Sequence, residues 1–241
     1  MDNALYVNIT RQSALLDELQ VIASNLANMN TDGYRREASV FSEYVKDVDG
    51  PYGSLSMAAS RGRYVDETQG ALTPTGSQFD LAVEGDGFFM VEGDQGEQWL
   101  TRGGSFTPSE NSELVTSEGR RVLSADGGPV FVPPNAKAFE VGPDGSISAD
   151  GQPLGQLALV NVPPETLKRV NGMMFTSGEE PQQVLEGGRI AQGFLEQSNV
   201  SAVQELTRMV EVQRAYELGA QLGTQEDDRI SNLISTLGRP V

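Results

Sequence analysis

The stretch SAVQELTRMVEVQRAYELGAQLGTQEDDRISNLISTL, residues 201–237, decides the reading of the fold. No glycine or proline interrupts the chain from Phe194 to Leu218. Ser201, with Gln204 three residues on, can form a capping box, and Asn199 is the alternative cap. Ala202, Leu206, Met209, Gln213, Tyr216, Ala220, Gly223, Asp227, Ile230, Ile234 and Leu237 then follow at steps of four and three. That is the a/d spacing of helices that pair. Gly223 and Asp227 weaken the stripe, and a bend near Gly223 is expected. Val203, Val210, Val212 and Leu233 lie beside it and widen it.

The opposite end of the chain carries the same kind of pattern. Residues 1–32 lack glycine and proline, and Leu5, Leu15, Leu19, Ile22 and Leu26 fall on one helical face. Asn8 and Gln12 fill two polar places on it. The pattern stops at residues 28–33, where Gly33 can supply the left-handed turn that ends a helix.

The middle differs in composition. Ten of the twelve prolines lie between Thr73 and Gly193, which makes this region turn-rich. Short apolar runs recur between turn residues, such as 80–83, 88–91, 98–101, 138–141 and 156–160. The Asp86-Gly87 step reads as a hairpin turn. Asp144-Gly145 and Asp150-Gly151 read as turns before partner strands. Leu81, Val83, Phe88, Val91 and Leu159 are expected core members. Residues 33–70 give few signals beyond strand-like pieces such as 38–41.

The expected fold is therefore α+β: paired N- and C-terminal coiled-coil-type helices flanking a central antiparallel, turn-rich β domain. Its divisions are an N-terminal helix (1–32), an extended connector (33–70), a β domain (71–193) and a C-terminal helix (194–241). The two helices can pack as a hairpin on the β domain. The sharper expectation is that they complete their burial against other chains, because a two-helix pair leaves apolar flanks.

Composition removes several classes of function. The net charge is −17, mostly carried by residues 33–193, which argues against binding a nucleic-acid backbone. The chain has no cysteine and no histidine, which excludes disulfides, Cys or His metal sites and Ser-His-Asp chemistry. No run of apolar residues is long enough for a transmembrane segment, and the opening residues lack the pattern of a cleaved signal peptide.

Local motifs resolve into structural roles. Asn28, Asn30, Asp32 and Gly33 imitate the start of a calcium loop, but Ser39 stands where the bidentate glutamate is required. Gly85-Asp86-Gly87 lacks the third glycine of a dinucleotide loop. Glu226, Asp227 and Asp228 do not share one helical face, so they form no carboxylate pair. Trp99 and the Phe88-Phe89 pair read as core. No catalytic residue, metal site or cofactor is expected. A carboxylate-based hydrolase and a free-standing adhesin are the other classes weighed.

Three blocks of sequence resemble the rod and hook proteins of the bacterial flagellum. Residues 23–34, ASNLANMNTDGY, look like the family's N-terminal signature, with Ser24 where asparagine is usual. Residues 70–76, followed by 80–89, are similar to its central segment, and 196–200 with 214–217 to its C-terminal signature. The length and the opening Met1–Tyr6 look most like the proximal-rod members, with the distal-rod members next. The resemblance implies a structural subunit of the basal-body rod, exported by the flagellar type III apparatus without signal cleavage and placed in a hollow shaft across the periplasm. Implied partners are copies of itself, proximal and distal rod subunits and the surrounding ring proteins. The expected assembly interface is Leu5, Leu15, Leu19, Ile22, Leu26, Leu206, Met209, Tyr216, Ile230, Ile234 and Leu237.

Overall fold

The computed structural model describes residues 2–47, 54–178, 182–183 and 188–237. The chain forms two compact units.

The first unit comprises residues 1–27, 37–63 and 201–241. Its helices are α1 (Asp2–Ala27) and α2 (Ala202–Leu237), and its strands β1 (Glu37–Asp47) and β2 (Ser54–Val65) form a two-stranded sheet. The helices pack together and run antiparallel, since Asn8 meets Gly219, Glu18 meets Arg208 and Asn25 meets Glu205. α1 also packs on β1.

The coiled-coil-type pairing is overturned. Leu206 is 48% exposed, and Gln213 and Ala220 are exposed as well, so the leucine stripe of α2 does not face α1. The buried positions are Glu205, Val212 and Gly219, each seven residues from the next. α1 buries Ala14, Glu18, Val21, Ile22 and Asn25. Carboxylates, an amide and a glycine stand among small and branched apolar groups on these two helices, and among the described residues no leucine of either helix is buried. The molecule is one N-terminal helix and one C-terminal helix with a large, mostly antiparallel sheet region between them in sequence.

The second unit comprises residues 28–36 and 64–200. A six-stranded antiparallel sheet is ordered Leu167–Asn171, Met174–Ser177, Gln98–Thr101, Phe88–Glu92, Leu159–Asn161 and Gln182–Gln183. Alternate residues point to opposite faces of a strand. Phe89, Val91, Trp99, Leu159 and Met174 enter one apolar cluster, while Phe88, Met90, Leu100, Val160 and Phe175 enter a second. Burial on both faces explains why 88–91 is apolar at every position. All five expected core residues are buried.

The turns act as read in two of three places. Asp150 and Gly151 both take positive φ (50° and 78°) in a two-residue hairpin between Ser146–Ala149 and Gln152–Gln156. Gly145 (φ 84°) turns Phe139–Val141 back onto Ser146–Ala149. The third is corrected: Leu81–Gly85 and Phe88–Glu92 are not hairpin partners. Leu81–Gly85 pairs with Gly188–Gln192, so the glycines at 85 and 87 carry the chain from one sheet to another.

Truncating Phe175, fully buried in the second cluster, should cost the β unit about 3–5 kcal/mol. Phe131→Ala, at a side chain 56% exposed, should stay within about 0.5 kcal/mol. Urea unfolding followed by Trp99 fluorescence measures both.

Candidate assembly surface and a buried ionic node

The helices present two kinds of face. Toward each other they are polar and small, and the ion pair Arg208–Glu18 (2.7 Å) bridges them. Asn25 clamps the start of β1. Its Oδ1 accepts from the Glu37 N–H at 3.0 Å and its Nδ2 donates to the Glu37 carbonyl at 2.8 Å and to Glu205 Oε2 at 3.3 Å. This satisfies the buried Asn25 amide and gives the buried Glu205 carboxylate a donor.

The outward faces carry large apolar side chains among charged and polar ones. On α2, Val203, Leu206, Val210, Leu218 and Leu222 are exposed, with Val203 at 75%. On α1, Ile9 and Leu16 are exposed. α2 is the longer helix, 36 residues against 26. The antiparallel register therefore carries its last turns past the start of α1, and Ile234 there is 66% exposed.

The residues expected at the assembly interface divide accordingly. Leu206 and Ile234 are exposed, Leu15, Leu19, Leu26, Met209, Tyr216 and Ile230 are half-buried, and Ile22 is buried. The side chains of Leu5 and Leu237 lie outside the described residues. Sequence reading passed over Ile9, Leu16, Leu218 and Leu222. Their spacing of seven and of four residues was the available signal.

In the β unit, segments distant in sequence meet at one carboxylate. Glu196, 1% exposed, pairs with Arg35 at 2.8 Å and with Arg102 at 3.2 Å. Its Oε1 also accepts from the Gly70 N–H at 3.0 Å. Arg35 Nη1 donates to the carbonyls of Glu67 (2.7 Å) and Thr68. Arg102 Nη2 donates to the Gly85 carbonyl at 2.8 Å. The Glu196 carbonyl accepts from the Gly33 N–H at 2.6 Å. Asn199 adds a second tie: it accepts from the Arg36 N–H at 2.7 Å and donates to the carbonyls of Asp66 and Thr68 at 2.9 and 2.8 Å. Above this, Arg169 stacks on the Tyr34 ring at 4.4 Å and the Phe175 ring at 4.6 Å, and donates to the Arg35 carbonyl.

Gly33 takes φ +74°, the left-handed turn expected of it, and a Cβ there would lie 2.3 Å from the Gly103 nitrogen. Only glycine fits both constraints.

Two guanidiniums share one directly paired carboxylate, and Glu67, Asp66 and Asp86 add negative charge from farther away. Burial, then the neighbouring Arg35, brings the Arg102 guanidinium down to about 10, against the opposing pull of Glu196. Burial likewise holds Arg35 below its ordinary value. Nothing in this arrangement places a nucleophile or general base; it is a fastening of backbone segments.

Comparison with known proteins agrees with that reading. A family model described as "Flagella basal body rod protein" matches residues 5–35, "Flagellar hook protein FlgE/F/G D1 domain" matches 82–149, and "Flagellar basal body rod FlgEFG protein C-terminal" matches 191–236. Arg35, Arg102 and Glu196 fall one in each match. The chain is 37% identical over 241 residues to the flagellar basal-body rod protein FlgF of Mesorhizobium japonicum, covering 99% of both. It is 37% identical over 247 residues to FlgF of Caulobacter vibrioides, again covering 99% of both. To the rod protein FlgG of Agrobacterium fabrum it is 30% identical over 258 residues, covering 95% of the chain and 97% of the relative.

The chain belongs to the FlgF/FlgG family of flagellar basal-body rod proteins. It is a structural rod subunit of the basal body, in a family of structural proteins rather than enzymes, and rod proteins of this family assemble with other rod and hook components. Among the described residues no helix is long and apolar enough to cross a membrane.

The node predicts an asymmetry. Glu196→Gln removes the one carboxylate that pairs directly with both buried guanidiniums and should cost about 3–5 kcal/mol. Arg102→Met leaves the Arg35–Glu196 pair one to one and should cost less. The sign of the pH dependence follows too. Arg102 releases its proton from about 10 when folded and at distinctly higher pH when unfolded. Between those values the unfolded chain binds more protons, so this group's contribution to stability rises with pH and is flat below about 10. Urea unfolding of parent and both variants measures the order, and the parent-minus-Arg102→Met difference from pH 9 to 11 measures the sign.

Proposed function

We propose that the chain self-assembles through its terminal helices into the hollow drive shaft of the flagellum, as a proximal-rod subunit, and transmits torque across the periplasm. The observation that carries this reading is the apolar face of α2, where Val203, Leu206, Val210, Leu218 and Leu222 stay uncovered by α1. Val203, Leu206 and Val210, at steps of three and four, form one exposed apolar stripe, and such surface marks an interaction site. Burying it against neighbouring subunits supplies roughly 25 cal/mol per Å² of apolar area.

In this reading residues 1–32 and 194–241 provide the inner-tube helices, 33–70 connects them to the outside, and 71–193 forms the outer β domain. Leu5, Leu15, Leu19, Ile22, Leu26, Leu206, Met209, Tyr216, Ile230, Ile234 and Leu237 contribute to contacts within and between subunits. The acidic outer surface discourages random association through repulsion. Partners are further copies of this chain, the other proximal and distal rod subunits, the ring proteins around the rod and the type III export apparatus, which takes the chain without cleaving a signal. A distal-rod role is the second reading, favoured by the 30% identity to FlgG. The higher identity to FlgF relatives, 37%, supports the first.

Leu206→Asp separates folding from assembly. The side chain is half-exposed in the single chain, so the substitution should change its stability by no more than about 1 kcal/mol. In an assembled rod the carboxylate would be desolvated at every subunit, costing several kcal/mol each time. Cells with this variant should lack complete rods and be non-motile, while the purified chain melts as the parent does. Motile cells with complete basal bodies would refute the role of α2.

A further inference from the structure

We propose that Asn8, seated against Gly219 and Gly223, fixes the register in which α1 and α2 pair. Asn8 Nδ2 donates to the Gly219 carbonyl at 2.8 Å, from one helix to the backbone of the other. A helix-interior carbonyl already accepts within its own helix, so this second bond requires the carboxamide to reach the helix surface itself. The two glycines make that possible. A Cβ at Gly219 would stand 3.2 Å from Asn8 Oδ1 and 3.4 Å from Gln12 Nε2, and one at Gly223 would stand 3.3 Å from Asn8 Nδ2. Four residues apart, they lie on one face of α2 and open a window one turn long.

The window has walls. Sliding α2 by four residues brings Ala215 to the place of Gly219 in one direction and Asp227 to the place of Gly223 in the other. One glycine stays under Asn8 each time, but a Cβ enters the other half of the window and crowds the carboxamide. At the other end of the pairing the buried Asn25–Glu205 bond also opposes a slip, and the ion pair between the two ends does so less strongly. Arg208, which reaches Glu18, is a long side chain half-exposed at the surface, and Arg208 also pairs with Glu211 on its own helix. Glycine is the poorest helix former after proline, so two of them at this contact and a carboxamide opposite them form a positional device. A single polar side chain is known to set the register of paired helices at a cost in stability.

The consequence rests on the assembly reading above. Register decides which turns of α2 run past the start of α1, and so which apolar residues, Ile234 among them, are offered to a neighbouring copy.

The chain contains no cysteine, so introduced pairs report register without background. Leu15→Cys with Val212→Cys reports the register seen here, because residues whose numbers sum near 227 lie opposite each other, as Asn8 and Gly219 do. Leu15→Cys with Met209→Cys, or with Tyr216→Cys, reports a slip of one turn. In isolated basal bodies, oxidation should give the intrachain 15–212 disulfide as the dominant product. Asn8→Ala should lower that selectivity and give a measurable share of the other two pairs, and so should Gly219→Leu. If the variant cells hold no rods, the same three pairs are oxidised in the purified full-length chain. Retention of 15–212 as the sole product in Asn8→Ala would overturn the proposal. Loss of all three disulfides in Asn8→Ala, with the parent unaffected, would also overturn it, since Asn8 would then set the strength of pairing and not its register. Failure of rod assembly through α2 is read separately, from Leu206→Asp, and leaves the disulfide map intact.

Discussion

The β unit depends on a single carboxylate. Glu196 draws in Arg35 and Arg102, 161 and 94 positions away in sequence, and each guanidinium continues to backbone carbonyls of other segments. Closing loops of that length is entropically unfavourable, though only slowly more so with length. What makes the closure specific is geometry. Arginine's planar fork offers several donors at once, so one side chain joins a carboxylate on one strand to peptide groups on another. A lysine would supply the charge without the second connection. Carbonyl oxygens and the more distant Asp86 help hold the two cations, and the lowered proton affinity of Arg102 is the trace of its burial beside Arg35.

The helical unit solves a different problem. A helix that buries its largest side chains within the chain has little apolar surface left for neighbours. Here Glu18, Asn25, Glu205, Arg208 and Gly219 tie α1 to α2, with Ile22 and Val212 also buried, and several large aliphatic groups of α2 remain outside. Polar contacts of this kind contribute modestly to stability, because each replaces a bond to water. The pairing is therefore specific without consuming the surface on which a rod subunit relies.

How far the sequence reveals this follows from the physics of each signal. The helices are legible because residues 1–32 and 194–218 lack glycine and proline, and the double-faced strand Phe88–Glu92 because burial on both sides demands an unbroken apolar run. The hairpins at Gly145 and Asp150 are legible from turn chemistry. Asp86-Gly87 misleads, since a tight turn states only that the chain reverses, not which strand it then joins. The helix contact misleads for a related reason. Steps of four and three fit the set beginning at Ala202 and Leu206, but equally the set Glu205, Met209, Val212, Tyr216 and Gly219. Hydrophobicity favours the first and close approach selects the second. The strands β1 and β2 carry weak patterning, and the ionic node is invisible because its charges lie far apart in three separate segments. Glu196 and Gly33 stand within recognisable motifs, yet a motif alone does not state which partner its carboxylate meets.

The most direct test compares the surface of α2 before and after assembly. Leu206→Cys, Val210→Cys and Leu222→Cys, introduced singly into this cysteine-free chain, report solvent access through their rate of alkylation. Assembly through α2 predicts rapid labelling of all three in the purified chain and strong protection in isolated basal bodies. Equal labelling in both states would show that the exposed face of α2 is not where rod subunits meet, and would contradict the central claim.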